Sequence, residues 1–436
     1  MPQSRPTVER APLPNLPRAF AFMAGADVDA LVASSPANVQ YLTGYSCWLA
    51  LFREFMVRPG GSDEMVQRNL AFLPLGQDPV LVVEPSFVLD AVDCWVTDVR
   101  VAGDAYFVRS GATGAVKIVP EHDPARVCLT AGDWPDDPIV ALTDLIREKG
   151  LQGSRIGLEL TSMAPRDVEA LRAALPGAVF VDCSGLLRII RAVKTDTEIE
   201  RLARAAQIAE RAAAEAAETI CAGVTPSVLA DRFRLSLARD GADYDHCALS
   251  LDGLGFVTSG DRLLGADSWM YFDYGCIYRG WFSDAGTTLC IGEPRDVALR
   301  QHAAVLEAVE EGARAVRPGV RGSAVQRQMQ LALSDVGVTD AFPHGHGLGI
   351  EIREYPILVP DAGEAIRDGC VDLDADLLLE PDMVINLEAS ILVLGECSAH
   401  CEKTFVVTRD GARPLISQDR AMPLAGGRAH RRGDDV

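Results

Sequence analysis

The chain has 436 residues, of which 48% are apolar and 24% are charged, so its composition is that of a folded protein with a large core. At about 100–200 residues per domain, this length predicts two or three domains. The 62 acidic residues outnumber the 41 Lys and Arg residues and give a formal net charge of −21, which argues against nucleic acid and anionic membranes as partners.

The apolar runs and the cysteines indicate the cellular compartment in which the protein is expected. No stretch of about 20 apolar residues occurs, so no transmembrane helix is expected. The first 18 residues contain five prolines and several charges, where a signal peptide has an apolar run. The 11 cysteines include no CxxC pair. We therefore expect a cytoplasmic protein whose thiols are free.

The first 190 residues alternate strand and helix patterns. Apolar runs between turn clusters predict strands, and amphipathic runs predict helices. The predicted helices are 18–30, 138–149 and 165–175, and the predicted strands are 28–34, 70–75, 79–84, 155–160 and 179–182. The strands at 70–75 and 79–84 are expected to pair around Gly76. This alternation predicts an α/β layer domain.

A different pattern begins near residue 195. Thr195 and Glu198 have the spacing of a capping box, in which the Thr side chain accepts a bond from a first-turn amide and the Glu side chain reaches back. Apolar residues then follow at helical spacing until Gly223 ends the run. Pro226 opens a second helix, which ends at Gly241.

That helix pair recurs 96 residues later, starting with a predicted helix over 298–316. Six positions match at this constant offset: Gly223, Val224, Leu229, Phe233, Leu237 and Gly241 match Gly319, Val320, Val325, Met329, Leu333 and Gly337. A chance match is one explanation, because glycine-terminated helices are common. We favour the other, a duplicated unit of two helices and a sheet that packs around a pseudo-two-fold axis with a shared cleft.

The first of three clusters with chemical potential, residues 271–284, is predicted to be a β-hairpin that turns at 278–280. Residues equidistant from a hairpin turn face each other, so Asp273 and Asp284 are expected to lie together on one face. Two neighbouring carboxylates in an apolar strand pair repel each other unless a proton or a cation lies between them. The alternative is a pair of exposed hairpin acids.

The second cluster contains His344 and His346 among glycines. Glycine lets the backbone approach a ligand closely, and imidazole suits divalent first-row metals. The alternative is a pair of structural histidines with satisfied hydrogen bonds.

The third cluster is a pair of glutamates, Glu388 and Glu402, which lie 14 residues apart in apolar, strand-like segments. A Glu in such a strand is almost never buried without a partner. In the duplication this pair is the counterpart of Asp273 and Asp284, so each copy brings one acid pair to the pseudo-two-fold axis. Four carboxylates and one imidazole are enough to hold two divalent cations, which are about 3.5–4 Å apart in two-metal centres.

The order of these residues carries a family resemblance. Asp, a second Asp 11 residues later, Gly-His-Gly, Glu and Glu occur in this order within residues 195–415. This region resembles the pita-bread metallopeptidases, a superfamily that includes methionine aminopeptidase, aminopeptidase P, prolidase and creatinase. Residues 187–199 resemble the domain junction of the aminopeptidase P and creatinase branch, and residues 35–45 resemble the N-terminal domain of that branch.

The resemblance implies an α+β protein with three parts. An N-terminal α/β creatinase-like domain would span 1–190, and a pita-bread catalytic domain with internal pseudo-two-fold duplication would span 191–425. A polar tail would follow at 426–436.

The resemblance also implies a role for each ligand. Asp273 would bind one metal ion, and Asp284 and Glu402 would bridge both ions. His346 and Glu388 would bind the second ion, and Glu388 would also move the proton of the attacking water. This ligand set is rich in oxygen and has one nitrogen, so manganese suits it best, and zinc, iron or cobalt are acceptable.

The chain departs from the peptidase pattern at four positions. Family peptidases have a substrate-contacting His at the position of Arg353, a second His at that of Phe256, and often Arg at those of His400 and Thr287. Loss of both histidines removes proton donors for a peptide leaving group. His246 is a candidate replacement, although its spacing does not require that role.

Arg353 offers a planar fork to a carboxylate or another anion, and the alternative is a salt bridge to Glu351 or Glu354. The candidate catalytic residues are Glu388, His346 and Arg353. The candidate substrate-binding residues are Arg353, His344, Phe256, Tyr45 and Trp48.

Subunit association is a further implication of the resemblance. In the creatinase branch, the N-terminal domain of one subunit helps to wall the cleft of its partner. We therefore expect a homodimer in which Tyr45, Trp48 and Arg53 contribute to such a wall. The alternative is that these aromatics belong to an ordinary core.

Three functional hypotheses follow. The leading one is a dinuclear-metal hydrolase that cleaves an amide C–N bond of a short peptide or small molecule, as an Xaa-Pro peptidase does. The second is a non-peptidase of the same fold that acts on a small zwitterion, as creatinase and ectoine hydrolase do. The related dimethylsulfoniopropionate lyase has Asp where this chain has Tyr271, which disfavours lyase activity. The third is an inactive binding module, against which the five intact ligands argue.

Overall fold

The structure of the chain is a computed structural model, which describes residues 12–47, 55–57, 63–65, 68–103, 134–251, 253–258, 260–395, 397–418 and 424–425. The chain divides into two compact units. The first runs up to Ile190 and also includes Ile366–Asp372, and the second comprises Arg191–Ala365 and the chain from Leu373 onward. The predicted tail at 426–436 lies outside the described residues. Within the described ranges, no helix is long and apolar enough to cross a membrane.

A mixed β-sheet forms the centre of the first unit. The strands described there are β1 (Ala30–Ala33), β2 (Phe55–Val57), β3 (Asp63–Met65), β4 (Leu70–Pro74), β5 (Val80–Val83), β6 (Val99–Val101), β7 (Arg155–Leu158) and β8 (Val179–Asp182). Six of them form one sheet in the order β6-β5-β4-β1-β7-β8, and β2 pairs with β3 separately. β1 is antiparallel to β4 and parallel to β7. The predicted pairing of β4 with β5 is confirmed.

Helices cover this sheet. They are α1 (Leu16–Gly25), α2 (Pro36–Thr43), α3 (Pro138–Glu148), α4 (Pro165–Ala174) and α5 (Ser184–Ala192), with a 3-10 helix at Pro85–Asp93. α3 and α4 pack their apolar faces on the sheet. The first helix differs from the predicted 18–30. It begins at Leu16 because the Asn15 side chain caps it, and it ends at Gly25 because Asp27, with φ of 54°, turns the chain into β1.

The second unit is built on a larger, mainly antiparallel sheet. From residue 243 onward the strands are β9 (Asp243–Leu251), β10 (Phe256–Val257), β11 (Trp269–Tyr278), β12 (Trp281–Phe282), β13 (Ala285–Cys290), β14 (His344–Gly347), β15 (Glu354–Leu358), β16 (Ala365–Arg367), β17 (Asp372–Asp374), β18 (Val384–Val393), β19 (Cys397–Val407), β20 (Ala412–Pro414) and β21 (Leu424–Ala425). Of these, β16 and β17 form a separate two-stranded sheet, in the stretch that includes the first unit's Ile366–Asp372. The main path of the sheet is β10-β9-β11-β13-β19-β18-β14-β15. The helices are α6 (Asp196–Ala217), α7 (Pro226–Arg239), α8 (Asp296–Ala315) and α9 (Gly322–Asp335).

The predicted capping box begins α6. Thr195 Oγ1 accepts a bond from the Glu198 amide at 3.3 Å, and Glu198 Oε2 accepts one from the Thr195 amide at 2.9 Å. Both bonds satisfy amides that the first helical turn leaves free.

The backbone shows the duplication that the offset of 96 predicts. α7 and α9 each have 14 residues, and their first and last residues are 96 positions apart. Gly223 and Gly319 have φ of +85° and +82°. The Gly223 amide donates to Leu264 O at 2.9 Å, and the Gly319 amide donates to Leu379 O at 2.8 Å. In each helix pair, the same kind of glycine turn therefore joins the two helices, and a backbone hydrogen bond from the glycine amide holds that turn in place.

The sheet of the second unit repeats this symmetry. The first copy supplies β9, β11 and β13, the second supplies β14, β18 and β19, and the two sets meet at the β13–β19 pair, where Gly286 lies opposite Glu402. One core joins α6 and α7 to the first set, and another joins α8 and α9 to β18 and β19. Because side chains alternate along a strand, the same strands can present polar residues on the opposite face. The predicted pita-bread fold with internal duplication is confirmed.

Candidate metal centre

The predicted metal ligands lie on the sheet face that is turned away from the helices. Asp273 is in β11, Asp284 directly precedes β13, His346 is in β14, Glu388 is in β18 and Glu402 is in β19. The strand neighbours of Asp273 and Glu388 instead join the two helix-packed cores. Glu388 lies directly opposite Glu402 in the register of β18 and β19. Period-two alternation thus collects the ligands on one face.

The hairpin register differs in detail from the prediction. Asp273 pairs with Gly286, two residues beyond Asp284, because the turn at Arg279 and Gly280 sets Tyr278 opposite Trp281. The two carboxylates nevertheless converge. His246 Nε2 lies 2.8 Å from Asp273 Oδ1 and 3.5 Å from Asp284 Oδ1. The expected proximity of the two acids is confirmed, and the expected cross-strand pairing is wrong.

Three of the carboxylates, Asp284, Glu388 and Glu402, are almost fully buried, and two of them have strongly raised pKa values. Asp284 is 7% exposed and Glu402 is 2% exposed. Burial, followed by repulsion from Glu402 and Asp273, raises the pKa of Asp284 well above its ordinary value. Burial, followed by repulsion from Glu388 and Asp273, raises the pKa of Glu402 in the same way. These two groups need a proton or a cation between them, as the sequence predicted for neighbouring acids.

His346 has the arrangement of a metal ligand. Its side chain is 1% exposed, and its Nδ1 lies 3.0 Å from the carbonyl oxygen of Gly347. Its Nε2 is buried and has no hydrogen-bond partner among the described residues, although Asp284 Oδ2 lies 3.5 Å away. Burial lowers the pKa of His346 to about 4, so the imidazole is neutral at pH 7. A neutral imidazole whose second nitrogen is held by a carbonyl fits a divalent cation at Nε2.

Among the residues that the structure describes, three groups of side chains have ligand atoms that lie within 4.8 Å of one another, and all three groups include predicted carboxylates. They are His246, Asp273 and Asp284; Asp273, His400 and Glu402; and Asp284, His346 and Glu402. Three of the four predicted carboxylates, Asp273, Asp284 and Glu402, therefore fit divalent cations by distance as well as by chemistry. Glu388 belongs to none of these groups, and its Oε1 lies 4.0 Å from His346 Nε2.

Two of these histidines were not predicted as ligands. His246 was considered only as a proton donor, and His400 only as a replacement for an Arg. His246 Nδ1 lies 2.7 Å from Asp245 Oδ2, and His400 Nε2 lies 3.2 Å from Glu402 Oε2. Burial alone would lower the pKa of His246, but its bonds to Asp245 and Asp273 raise it to about 11. The alternation that brings His246 to the ligand face is visible in the sequence of β9, but the register that aligns it with β11 is not.

Glu388 has two basic neighbours. Its Oε1 lies 2.7 Å from His344 Nε2 and 3.3 Å from Arg353 Nη2, and His346 Nε2 is 4.0 Å away. Burial alone would raise the pKa of Glu388, but the bond and the charge of His344 hold it below its ordinary value. Glu388 is therefore ionised at neutral pH and can accept a proton.

The Arg353 side chain is 58% exposed, and its ion-pair partner among the described residues is Glu388. The alternative prediction of a salt bridge to Glu351 or Glu354 is wrong. Glu354 is 1% exposed and pairs with Arg191 and with Lys194, whose Nζ lies 2.8 Å from Glu354 Oε2. Arg191 also pairs with Glu351. Glu351 and Glu354 thus pair with the buried side chains of Arg191 and Lys194. Arg353 pairs instead with Glu388, at the candidate centre.

An aromatic stack connects Phe256 to the centre. Phe256 is 61% exposed and meets the Tyr271 ring edge-on, with ring centroids 4.9 Å apart. Tyr271 stacks on His400 at 3.9 Å, and its hydroxyl donates to Asp273 Oδ2 at 2.9 Å. The residue at the position of a family histidine is thus an exposed apolar ring beside the carboxylates.

The remaining candidate residues lie at 45–53. Tyr45 belongs to the first unit, where its side chain is buried at 2% exposure. Trp48 and Arg53 lie outside the described residues.

The fold and the centre together define a class of protein. The centre combines converging carboxylates with a buried imidazole nitrogen that has no hydrogen-bond partner in the described part of the chain. On a duplicated unit of helix pair and sheet, these are the features of a divalent-metal hydrolase with the pita-bread fold. Residues 200–409 match the family described as "Metallopeptidase family M24", and residues 16–193 match the "Creatinase/Prolidase N-terminal domain". The chain belongs to the two-domain branch of the M24 metallopeptidases.

Individual proteins agree with this assignment. The uncharacterized peptidase YqhT of Bacillus subtilis is 26% identical over 291 residues, which cover 65% of this chain and 78% of that protein. The Xaa-Pro dipeptidase from Bacillus anthracis is similar in structure, with a TM-score of 0.69, 20% identity and coverage of 93% of this chain and 97% of that one. The prolidase from Pyrococcus horikoshii gives a TM-score of 0.66, 19% identity and coverage of 93% and 98%. At these identities the structural likeness establishes the fold.

Proposed function

We propose that the chain uses two divalent metal ions to hydrolyse an amide C–N bond of a short peptide, as an Xaa-Pro peptidase does. The observation that supports this most directly is the group formed by Asp284, Glu402 and His346, whose buried Nε2 has no hydrogen-bond partner among the described residues. The relative from Bacillus anthracis is an Xaa-Pro dipeptidase with the same fold, which favours the same bond as the target here.

Each ligand has its own place in this proposal. Asp284 and Glu402, which are buried at the junction of the two sheet halves, would contact both ions. Asp273 would hold the first ion, and His346 and Glu388 would hold the second. When bound, the two ions would polarise the scissile carbonyl, stabilise the developing oxyanion and lower the pKa of water. For these five ligands, with one nitrogen among them, manganese is favoured over zinc, iron and cobalt.

Two neighbouring side chains are placed to move protons. Glu388 is ionised, so its Oε1 can take the proton of the attacking water. His344 Nε2 lies 2.7 Å from that oxygen and can pass a proton to the leaving nitrogen. His344 would then do the work of the family histidines that Phe256 and Arg353 replace.

Two residues are proposed to choose the substrate. The Arg353 guanidinium is exposed beside Glu388, where it can bind a substrate carboxylate through its planar fork. The Phe256 ring offers an apolar surface on the opposite strand set, next to Tyr271. A substrate with one anionic end and one apolar group suits this pair.

The assembly and location are proposed from the family resemblance. We infer a homodimer in the cytoplasm, with domains at 1–190 and 191–425. Trp48 and Arg53 remain the candidate contributions of the N-terminal domain to the cleft of the partner subunit, whereas Tyr45 is buried inside its own unit, as expected for an ordinary core aromatic.

Hydrolysis of a small zwitterion is a second candidate function. Arg353 and Phe256 stand at both positions where family peptidases have histidine. This exchange favours a substrate held by charge and apolar contact, and it removes two proton donors that a peptide leaving group uses.

A substrate panel separates the two candidates. Protein loaded with manganese is incubated with Xaa-Pro dipeptides, with their C-terminal amides, and with creatine, ectoine and betaine-like compounds. The leading proposal expects cleavage of the dipeptides, loss of cleavage in chelator and recovery when metal is restored. Cleavage of the zwitterions alone would favour the second candidate. No cleavage of any compound by fully loaded protein would contradict both.

A further inference from the structure

His246 sits against the metal centre in a space that a glycine keeps open. It lies in β9 opposite Gly275 of β11. A Cβ on Gly275 would lie 2.5 Å from His246 Cε1 and 2.8 Å from its Nδ1, closer than non-bonded atoms approach. The imidazole therefore depends on the absence of a side chain at Gly275, and its ring is fixed beside the carboxylates of Asp273 and Asp284.

Both ring nitrogens of His246 face carboxylate oxygens. Nδ1 lies 2.7 Å from Asp245 Oδ2, and Nε2 faces Asp273 and Asp284. Histidines that bind metals almost always give their other nitrogen to a carboxylate or a carbonyl, which fixes the ring orientation. His346 has the same arrangement, with the Gly347 carbonyl in place of a carboxylate.

The distances also match those between ligands of a single cation. Metal–nitrogen and metal–oxygen bonds of about 2.0–2.2 Å place neighbouring ligand atoms about 2.9–3.5 Å apart. His246 Nε2 lies 2.8 Å from Asp273 Oδ1 and 3.5 Å from Asp284 Oδ1. One ion can therefore bind all three atoms with small movements of the side chains.

We propose that His246 Nε2 is a sixth protein ligand of the centre, that it binds the same ion as Asp273, and that Asp245 orients it. This assignment rests on the dinuclear site of the proposed function and extends it. Each ion would then have one imidazole and one carboxylate of its own, and both would share Asp284 and Glu402. Because a second nitrogen softens the site of the first ion, that ion should prefer zinc, iron or cobalt over manganese more than the five-ligand set implies.

The direction in which metal affinity changes when His246 is removed distinguishes a metal ligand from a cationic neighbour. If His246 only donates hydrogen bonds to the carboxylates, its removal leaves the site more negative, and divalent cations should bind more tightly. If His246 is a ligand, its removal should weaken binding of one ion and leave the other ion in place.

The test measures metal content and dissociation constants, by chelator competition with zinc and cobalt, for the wild-type protein and for His246→Gln. We expect wild type to bind two ions and His246→Gln to bind one of them at least about 10-fold more weakly. The visible absorption of the cobalt-loaded protein should change as one nitrogen ligand is lost. Asp245→Asn keeps the imidazole and should weaken the same ion by about 10-fold.

His344→Gln is the matched control, because it removes an imidazole that contacts Glu388, a proposed ligand of the second ion. Any weakening should fall on that second ion, and the ion bound with Asp273 should keep its wild-type affinity. Unchanged or tighter binding by His246→Gln, with an unchanged cobalt spectrum, would overturn the assignment and leave the proposed function intact. Wild-type protein that binds no divalent ion would overturn both. If His246→Gln does not fold, Asp245→Asn decides, and wild-type affinity in that variant would overturn the assignment.

Discussion

The two copies within the second unit share a backbone but differ in their functional side chains. α7 and α9 have equal length and the same glycine turns before them, and the strands of the two copies lie on either side of the β13–β19 pair. The histidines do not follow this symmetry. The offset of 96 places Phe342 at the position of His246 and Ser250 at the position of His346.

This difference separates two kinds of constraint. Glycines with positive φ and apolar residues at helical spacing are required by the backbone, so duplication preserves them. In the proposed centre, carboxylates at the junction of the copies would serve both halves, whereas imidazoles on the outer strands would serve one ion each. The residues near the axis should therefore be indispensable, and those farther out should have graded effects.

The largest effect is expected at the shared ligands. Asp284→Ala and Glu402→Ala should each remove both metal ions and reduce kcat/KM by more than about 1,000-fold, because each carboxylate serves both ions. Metal analysis and turnover of the best substrate check this together. Retained turnover in either variant would show that the bridging assignment is wrong.

The helix caps give a pH-dependent contrast between the copies. Glu198 caps α6 of the first copy, and burial raises its pKa from 4.5 to about 7, whereas α8 of the second copy starts at Asp296 and its N-cap residue, Arg295, makes no side-chain cap bond. A carboxyl with a raised folded-state pKa stabilises the fold fully below its unfolded pKa, and that stabilisation is lost as pH rises through the folded pKa. The loss should amount to at most about 3 kcal/mol between pH 4.5 and just above 7.

Urea unfolding of the metal-free protein across this pH range measures the effect. Glu198→Gln keeps acceptors for the cap but cannot titrate, so its free energy of unfolding should decline less than that of wild type. Parallel pH curves for the two proteins would mean that Glu198 does not titrate differently in the folded state.

Arg353 tests whether the outer residues of the second copy choose the substrate. Arg353→Ala should raise KM about 10–100-fold for substrates with a free carboxylate, because a charge-assisted hydrogen bond contributes about 1.5–3 kcal/mol. Substrates with a C-terminal amide should be little affected. Arg353→Lys is the control that keeps the charge without the fork, and its KM should be intermediate. Equal changes for anionic and neutral substrates would argue against the carboxylate contact.

The smallest effect on stability is expected from Ala substitutions at the equivalent glycines Gly223 and Gly319. A Cβ at Gly223 or Gly319 meets no atom within 4 Å, so the cost of Ala comes only from positive φ. Each substitution should lower the free energy of unfolding by about 1 kcal/mol, and by the same amount in the two copies. Gly153→Ala is the control, since that glycine is equally uncrowded and has no positive φ. Clearly unequal losses at Gly223 and Gly319 would show that the two turns are not equivalent.

The sequence was sufficient to predict the candidate metal ligands and the duplication. The four predicted carboxylate ligands lie in or beside strand-like segments rich in apolar residues, His346 lies among glycines, and the offset of 96 is visible in glycines and helix faces. These signals are local, or they repeat at a constant spacing.

Contacts between distant segments were beyond the reach of the sequence. The position of His246 depends on the space at Gly275 and on a register shift in β9 and β11 between Gly275 and Cys276. Arg353 is available to pair with Glu388 because Arg191 and Lys194, about 160 residues away in the sequence, bind the acids next to it. Neither pairing follows from spacing along the chain, because each requires the three-dimensional arrangement of the strands and helices.

The central claim is that side chains from both copies close around a pair of cations. Its most direct test is the divalent-metal content of wild-type protein purified without chelator and loaded to saturation, with Asp284→Ala measured alongside. The account predicts two ions per chain in wild type and none in the variant. A folded wild-type chain that takes up no divalent ion, or a variant that retains both ions, would contradict it.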